Sequence, residues 1–262
     1  MTYEPQGQNH LESPESLNQQ EPAAPTRPRA RFIFRAKKPY LTYTILSITV
    51  IIFVIQLLSE NLLGYDYAFI FGGKINELID QGQYWRLITP VFLHGSITHI
   101  LFNMYALYII GRGIELYYGH VEFALLYFLS GIGGSLFSYF LTPSPSLGAS
   151  GAIFGLIAAD AILLYRNKEI LGPSAKNMLQ RSIMIIAVNL FIGLSPGIDN
   201  WGHVGGMMMG IVFAWFAGPM VTIDRMESEI QIRLKSNRNT SIRVALIMLL
   251  VVCGLLLFKS LV

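Results

Sequence analysis

The 262-residue chain has one cysteine, Cys253, which excludes an internal disulfide and any cysteine-rich metal centre. That cysteine lies in an apolar run and reads as a small residue facing lipid or core. Charge is scarce as well. Asp, Glu, Lys and Arg make up 13% of the residues, about half the ~25% usual in soluble chains. What charge there is lies bunched between long apolar runs, and 53% of the residues are hydrophobic. That distribution describes a polytopic membrane protein rather than an oily globule. Residues 1–30 lack apolar periodicity; rich in Gln, Asn, Pro, Glu and Ser, they are expected to be disordered. They are not expected to act as a signal peptide, because the polar lead is too long and no cleavage site follows the first apolar run. No His-Glu-x-x-His pattern occurs and the two halves show no clear repeat, which argues against a zinc protease and a repeat-built transporter.

Apolar segments are present at about 41–58, 97–111, 121–141, 150–165, 179–195, 202–220 and 242–258. Several fall short of the ~20 residues of a standard span, so those at 97–111 and 150–165 should be shielded by neighbours. All but three of the 19 Lys and Arg residues fall in segments that share one side if the N-terminus is inside; Lys74, Arg86 and Lys259 are the exceptions. The positive-inside rule then fits seven spans, N-terminus cytoplasmic and C-terminus external. The basic run from Arg27 to Lys38 reads mainly as a topology signal, with anionic headgroups as a secondary partner. The outer segment 59–96, with an amphipathic piece at 69–78 and the triplet Tyr84-Trp85-Arg86, reads as a loop lying in the interface. Tyr67 and Trp201 read as belt residues.

Ionisable groups inside spans are candidates for function. Ser150 sits in Gly148-Ala149-Ser150-Gly151 at the outward end of the fourth span, with bare backbone and free helix N-terminal N–H groups beside it. His203 opens the sixth span, with Gly206 and Gly210 on its helical face. Gly151 and Gly155 offer a matching surface, and docking the two grooves would bring Ser150 and His203 to one depth. His99 and Asn103 are one turn apart in the second span. Two readings of these residues stand side by side. In one, His203 is a base for Ser150, and His99, Asn103 and the Ser150 N–H face a developing oxyanion. In the other, the same groups are hydrogen-bond partners between helices, worth about 0.6–2 kcal/mol. Zinc on His94, His99 and His203 is disfavoured, since no Glu or Cys accompanies them. No third triad member is evident. Asp160 lies about 15 Å deeper than Ser150 along a helix, and Asp199 sits in the outer loop, so a dyad is expected. His10 and His120 read as solvated.

Five motifs occur in order: Trp85-Arg86, His99-x-x-x-Asn103, Gly111-Arg112 followed by Glu115, Gly148-Ala149-Ser150-Gly151, and His203-x-x-Gly206-x-x-x-Gly210. Together they resemble the rhomboid family of intramembrane serine proteases across residues 40–220 or so. The resemblance implies an all-α polytopic membrane protein with a rhomboid-like six-helix core and a seventh C-terminal transmembrane helix. It implies Ser150 as nucleophile and His203 as general base. His99, Asn103 and the Ser150 backbone N–H would form the oxyanion hole. Phe154 stands where the family carries an aromatic stacked on the catalytic histidine, and Gly148, Gly151, Gly206, Gly210 and Arg86 would support the site.

The expected organisation is a disordered tail at 1–38, a protease core at 39–220, and a cytoplasmic linker with the seventh helix at 221–262. The expected partners are single-span or other membrane-protein substrates and the bilayer, with no cofactor, metal or nucleic acid. The expected place is a bacterial cell membrane. The fifth span and the loop 195–202, interrupted by Gly and Pro, are expected to gate access. Two alternatives are a catalytically silent rhomboid-like escort protein, which would be marked by loss of the serine or histidine, and a transporter, which would need paired charges deep in several spans.

Overall fold

The computed structural model describes residues 29–33, 35–36, 38–225 and 229–261. The tail expected to be disordered lies, up to residue 28, outside the described residues. In chain order the elements are β1 (Arg29–Ile33), α1 (Tyr40–Leu63), α2 (Tyr67–Gly72), α3 (Asn76–Asp80), α4 (Ile97–Ala106), α5 (Arg112–Tyr118), α6 (His120–Leu141), α7 (Ser150–Arg166), α8 (Lys168–Leu171), α9 (Pro173–Ile192), α10 (Asn200–Ala217), β2 (Met220–Arg225), β3 (Glu229–Lys235) and α11 (Arg238–Leu261). A π-helical turn, Leu107–Gly111, joins α4 to α5. The helices α1, α6 and α11 are each long and apolar enough to cross a membrane. Large apolar side chains stand exposed on α1, α4, α9 and α11, among them Ile51, Phe102, Phe191 and Leu250, as a lipid solvent allows.

The centre of the bundle is α6, α7 and α10, and glycine sets how closely they pack. A Cβ added at Gly206 would sit 2.0 Å from Gly151 O, and one at Gly210 would sit 2.3 Å from Gly155 O. The helix α6 contributes its own small face: a Cβ at Gly134 would lie 2.8 Å from Gly202 O, and one at Gly133 2.2 Å from the Met209 side chain. Backbones therefore touch, which maximises dispersion contacts where lipid removes the hydrophobic drive between helices. Leu126, Tyr127, Leu156 and Phe213 fill the core around this seam.

The helix α1 begins after Pro39, which offers no side-chain cap. Glu115 of α5 supplies one from a distance, accepting from Leu41 N at 2.9 Å, Thr42 N at 2.7 Å and Thr42 Oγ1 at 2.7 Å. Orphan helix N–H groups and the positive end of the helix dipole explain why a carboxylate sits there with no exposed surface. His120, expected to be solvated, instead bonds Glu115 through Nδ1 with its ring partly exposed; a buried carboxylate draws in a nearby donor.

Two further features depart from the sequence-based expectations. First, the all-α expectation gains a three-stranded sheet of order β1-β3-β2. In it β1 runs parallel to β3, with Arg29 opposite Glu229, and β2 runs antiparallel, with Met220 opposite Lys235. Part of the assumed 1–38 tail and of the 221–262 linker is therefore paired strand. Arg35 continues the attachment, bonding Tyr118 O and Glu122. The alternation Ile230-Gln231-Ile232-Arg233-Leu234 carries the strand period. Second, the amphipathic piece at 69–78, expected as part of an interfacial loop, is largely helical. It breaks at Gly73 and Lys74 into α2 and α3, and the Lys74 backbone pairs with Ser146.

Candidate active site

Ser150 is the first residue of α7. The turn into it bends at Gly148, whose φ of +129° suits glycine, and a Cβ there would lie 2.8 Å from His99 Nε2. Gly148 N donates to Pro90 O at 2.9 Å, which anchors the turn from the other side. Because Ser150 opens the helix, the first N–H groups of α7 have no partner within it and point past the serine.

His203 stands on the first turn of α10, capped by Asp199, whose side chain accepts from Gly202 N at 3.0 Å. Its Nε2 lies 3.0 Å from Ser150 Oγ. Phe154, one turn beyond Ser150 on α7, stacks on the imidazole with ring centroids 4.4 Å apart and planes 13° apart. Among the described residues His203 Nδ1 is buried without a hydrogen-bond partner, so no carboxylate orients the ring. Asp160 is elsewhere, accepting from Ser182 Oγ of α9 at 3.0 Å.

The helix α4 starts at Ser96, whose hydroxyl accepts from His99 N at 3.1 Å. Gly95 N lies 3.4 Å from His99 Nδ1. If Nδ1 accepts, the ring proton is on Nε2. Asn103 Nδ2 donates one proton to His99 O at 3.0 Å, leaving its second amide proton for the cavity. His99, Asn103, Ser150, Phe154 and His203 all line one cavity of about 1080 Å³, walled by α4 on one side and by Ile185, Asn189 and Ile192 of α9 on the other. Behind Ser150 a second recess of about 30 Å³, bounded by Gly134, Ser135, Gly151 and Gly202, has room for a water.

Arg86 is not at the cavity. It is buried, donating through Nη1 to Gly73 O and Nη2 to Ile70 O, both at 2.7 Å, and through Nε to Gln83 Oε1 at 2.8 Å. Burial lowers its pKa, and three backbone or amide oxygens replace lost water. Trp85 beside it is half exposed, with Nε1 donating to Phe71 O. Sequence reasoning gave Lys74 a place only in the count of outward cations, its further signal being a cation in an otherwise apolar, Gly-rich stretch. It overlooked Gly131, Gly133 and Gly134 of α6, although their small-residue pattern was legible.

Apolar helices around a partly buried serine–histidine pair define a multi-pass membrane protein with a hydroxyl and a base in contact. Residues 81–220, just over half of the chain, match the model of the Rhomboid domain. Rhomboid protease GluP of Bacillus subtilis (strain 168) is 37% identical over 183 residues, which cover 70% of this chain and 36% of that protein. Rhomboid protease AarA of Providencia stuartii is 34% identical over 209 residues, covering 71% of this chain and 74% of that protein. The chloroplastic RHOMBOID-like protein 9 of Arabidopsis thaliana is 34% identical over 163 residues, 62% of this chain and 38% of that protein. The chain belongs to the rhomboid family. It spans little more than a third of the length of GluP and of the Arabidopsis protein.

Proposed function

We propose that the protein is an intramembrane serine endopeptidase that cleaves membrane-anchored proteins in or near their transmembrane segments. The observation that carries this reading is the 3.0 Å approach of His203 Nε2 to Ser150 Oγ under the stacked Phe154 ring. His203 takes the hydroxyl proton as Oγ attacks the scissile carbonyl, then returns it to the leaving amine. The stack on Phe154 and the packing of α10 against Gly151 hold the imidazole in place of a triad's carboxylate. The oxyanion faces the Ser150 N–H, His99 Nε2–H and the free amide proton of Asn103, in a site where fixed donors need no reorganisation. Water then hydrolyses the acyl-enzyme, and the recess behind Ser150 is a place from which it can come.

In this reading the six helices from α1 to α10 that traverse the bundle (α1, α4 with its π turn and α5, α6, α7, α9 and α10) form the protease core and α11 is the seventh span. The end with Ser150 faces outward and the sheet faces the cytoplasm of a bacterial cell. A substrate helix hides its carbonyls in i to i−4 bonds, so it must unwind to reach Ser150, and helix-weakening residues favour cleavage. The helix α9, with exposed apolar side chains over much of its length, is the element that moves to admit it. Purified wild type, Ser150→Ala and His203→Ala are compared on a single-span reporter in liposomes. Cleavage by wild type alone is expected. Full activity in either variant removes the dyad, and an inert wild type over several reporters leaves the escort reading.

A further inference from the structure

Lys74 lies between α2 and α3 with no exposed surface, and the mechanism above makes no use of it. Its Nζ donates to Thr142 O at 2.9 Å and to Ser144 O at 3.0 Å. Its backbone bridges Ser146 twice: Lys74 N donates to Ser146 O and Ser146 N to Lys74 O, each at 3.0 Å. One residue thus grips the loop after α6 at three points. Asn76, two residues on, adds a bond from Nδ2 to Thr142 O at 3.1 Å, and Arg86 fixes the carbonyl of the preceding Gly73.

The chemistry of this grip is unusual for a buried cation. Among the described residues no carboxylate lies within ion-pair distance of the ammonium. Two of its three protons go to neutral carbonyls just past the C-terminus of α6, where the helix dipole is negative. Burying an ammonium without a counter-ion costs stability, so an apolar side chain would fill this space more cheaply. What the lysine adds is a charged hold on a backbone segment. That segment runs directly into Gly148-Ala149-Ser150, and Thr142, Ser144, Ser146 and Leu147 line the same cavity as Ser150 and His203.

We propose that Lys74 is a positioning residue for Ser150: its charged ammonium holds the backbone of residues 142–146, and through it sets how residues 147–150 approach His203. The proposal rests on the reading of Ser150 as the nucleophile. It makes activity sensitive to alkali. Burial lowers the Lys74 pKa to about 8, against the pull of Asp199 at the start of α10 and Glu77 of α3, and with the push of Lys259 near the end of α11. Below that pH both side-chain bonds are charge-assisted; above it a neutral amine makes weaker ones. The folded pKa lies below the ordinary lysine value of 10.5, so between the two the unfolded chain binds more protons. Global stability from this group therefore rises with pH across that window. A kcat that falls while the melting temperature holds or rises separates positioning from a structural role.

The test follows cleavage of the single-span reporter by the full chain in liposomes from about pH 6.5 to about 9.5, in wild type, Lys74→Met and Lys74→Arg, with melting curves alongside. Wild-type kcat is expected to fall about tenfold across the range at constant KM. Lys74→Met should show that lowered kcat already at neutral pH and no further fall. Lys74→Arg, which keeps its proton, should lack the fall. Wild-type kcat in Lys74→Met at neutral pH, or an undiminished alkaline fall in it, overturns the proposal. If Lys74→Met does not fold, an identical fall in wild type and Lys74→Arg overturns it. Hydrogen exchange at the Ser146 and Gly148 amides reads the grip without activity: faster exchange in Lys74→Met supports it, unchanged exchange sinks it. Should wild type prove inert and indistinguishable from Ser150→Ala, the protease reading fails, and exchange alone decides whether Lys74 holds the loop.

Discussion

Phe154 lies almost parallel to His203, one helical turn along α7 from the serine that the histidine touches. The stack constrains the imidazole plane where a triad would use a carboxylate, because Asp199 is committed to capping α10. Orientation is then a matter of ring-on-ring packing, which depends on shape and flatness rather than charge.

Replacing Phe154 with Leu keeps most of the apolar volume and removes the flat face. The expected result is a loss in kcat of about 10- to 100-fold, with KM near the wild-type value and a folded protein. Phe154→Tyr, which restores the ring, should recover most of the rate. Steady-state kinetics on the reporter read both, and a wild-type kcat in Phe154→Leu would show that the ring does not orient His203.

Gly206→Ala places a methyl group where Gly151 O already stands, 2.0 Å from the new Cβ. The backbones of α7 and α10 must part, at a cost of about 1–3 kcal/mol or more. The same shift separates Ser150 from His203. Both the melting temperature and the rate of labelling of Ser150 by a fluorophosphonate should drop. Labelling at the wild-type rate would mean that the seam yields without disturbing the pair.

Glu115→Gln removes the charge from an acceptor that takes bonds from Leu41 N and from Thr42 N and Oγ1 with no exposed surface. The new amide turns donors toward donors. Destabilisation of about 1.5–3 kcal/mol is expected, read as a lower melting temperature in detergent. An unchanged melting curve would argue that the start of α1 is held by packing alone.

Arg86→Lys keeps the charge but not the fork. One ammonium cannot reproduce donors aimed at Gly73 O, Ile70 O and Gln83 Oε1 together. A loss of about 1–3 kcal/mol follows from the oxygens left unpaired. Hydrogen exchange should quicken across 66–92 while α6, α7 and α10 keep their protection; uniform protection throughout would contradict a local role.

Much of the bundle was legible before any coordinates. The seven apolar segments correspond to α1, α4 with the turn after it, α6, α7, α9, α10 and α11, because a long apolar run in a charge-poor chain has few other solutions. The sheet was harder. Its strand β3 shows a clean two-residue alternation, but β1 is five residues long and its partner lies some 200 positions away. Arg86 reads as an interfacial cation by composition, and its burial depends on two backbone oxygens that only the turn of the chain from Ile70 to Gly73 brings within reach.

Local chemistry and periodicity by themselves determined that the chain is helical and membrane-embedded, and that Ser150 and His203 each sit above a glycine face at helical spacing. Those properties depend on side-chain type and on distances of one or two turns, which the order of residues states directly. Tertiary structure alone decided that residues 53 apart in sequence meet at 3.0 Å. It also decided that Phe154 rather than Asp199 faces the imidazole, and that Lys74 reaches the loop before the serine. Each of these rests on how closely α6, α7 and α10 approach and how the segment between α1 and α4 folds back. Such distances are set by backbone contact between elements remote in the chain, which no local pattern records.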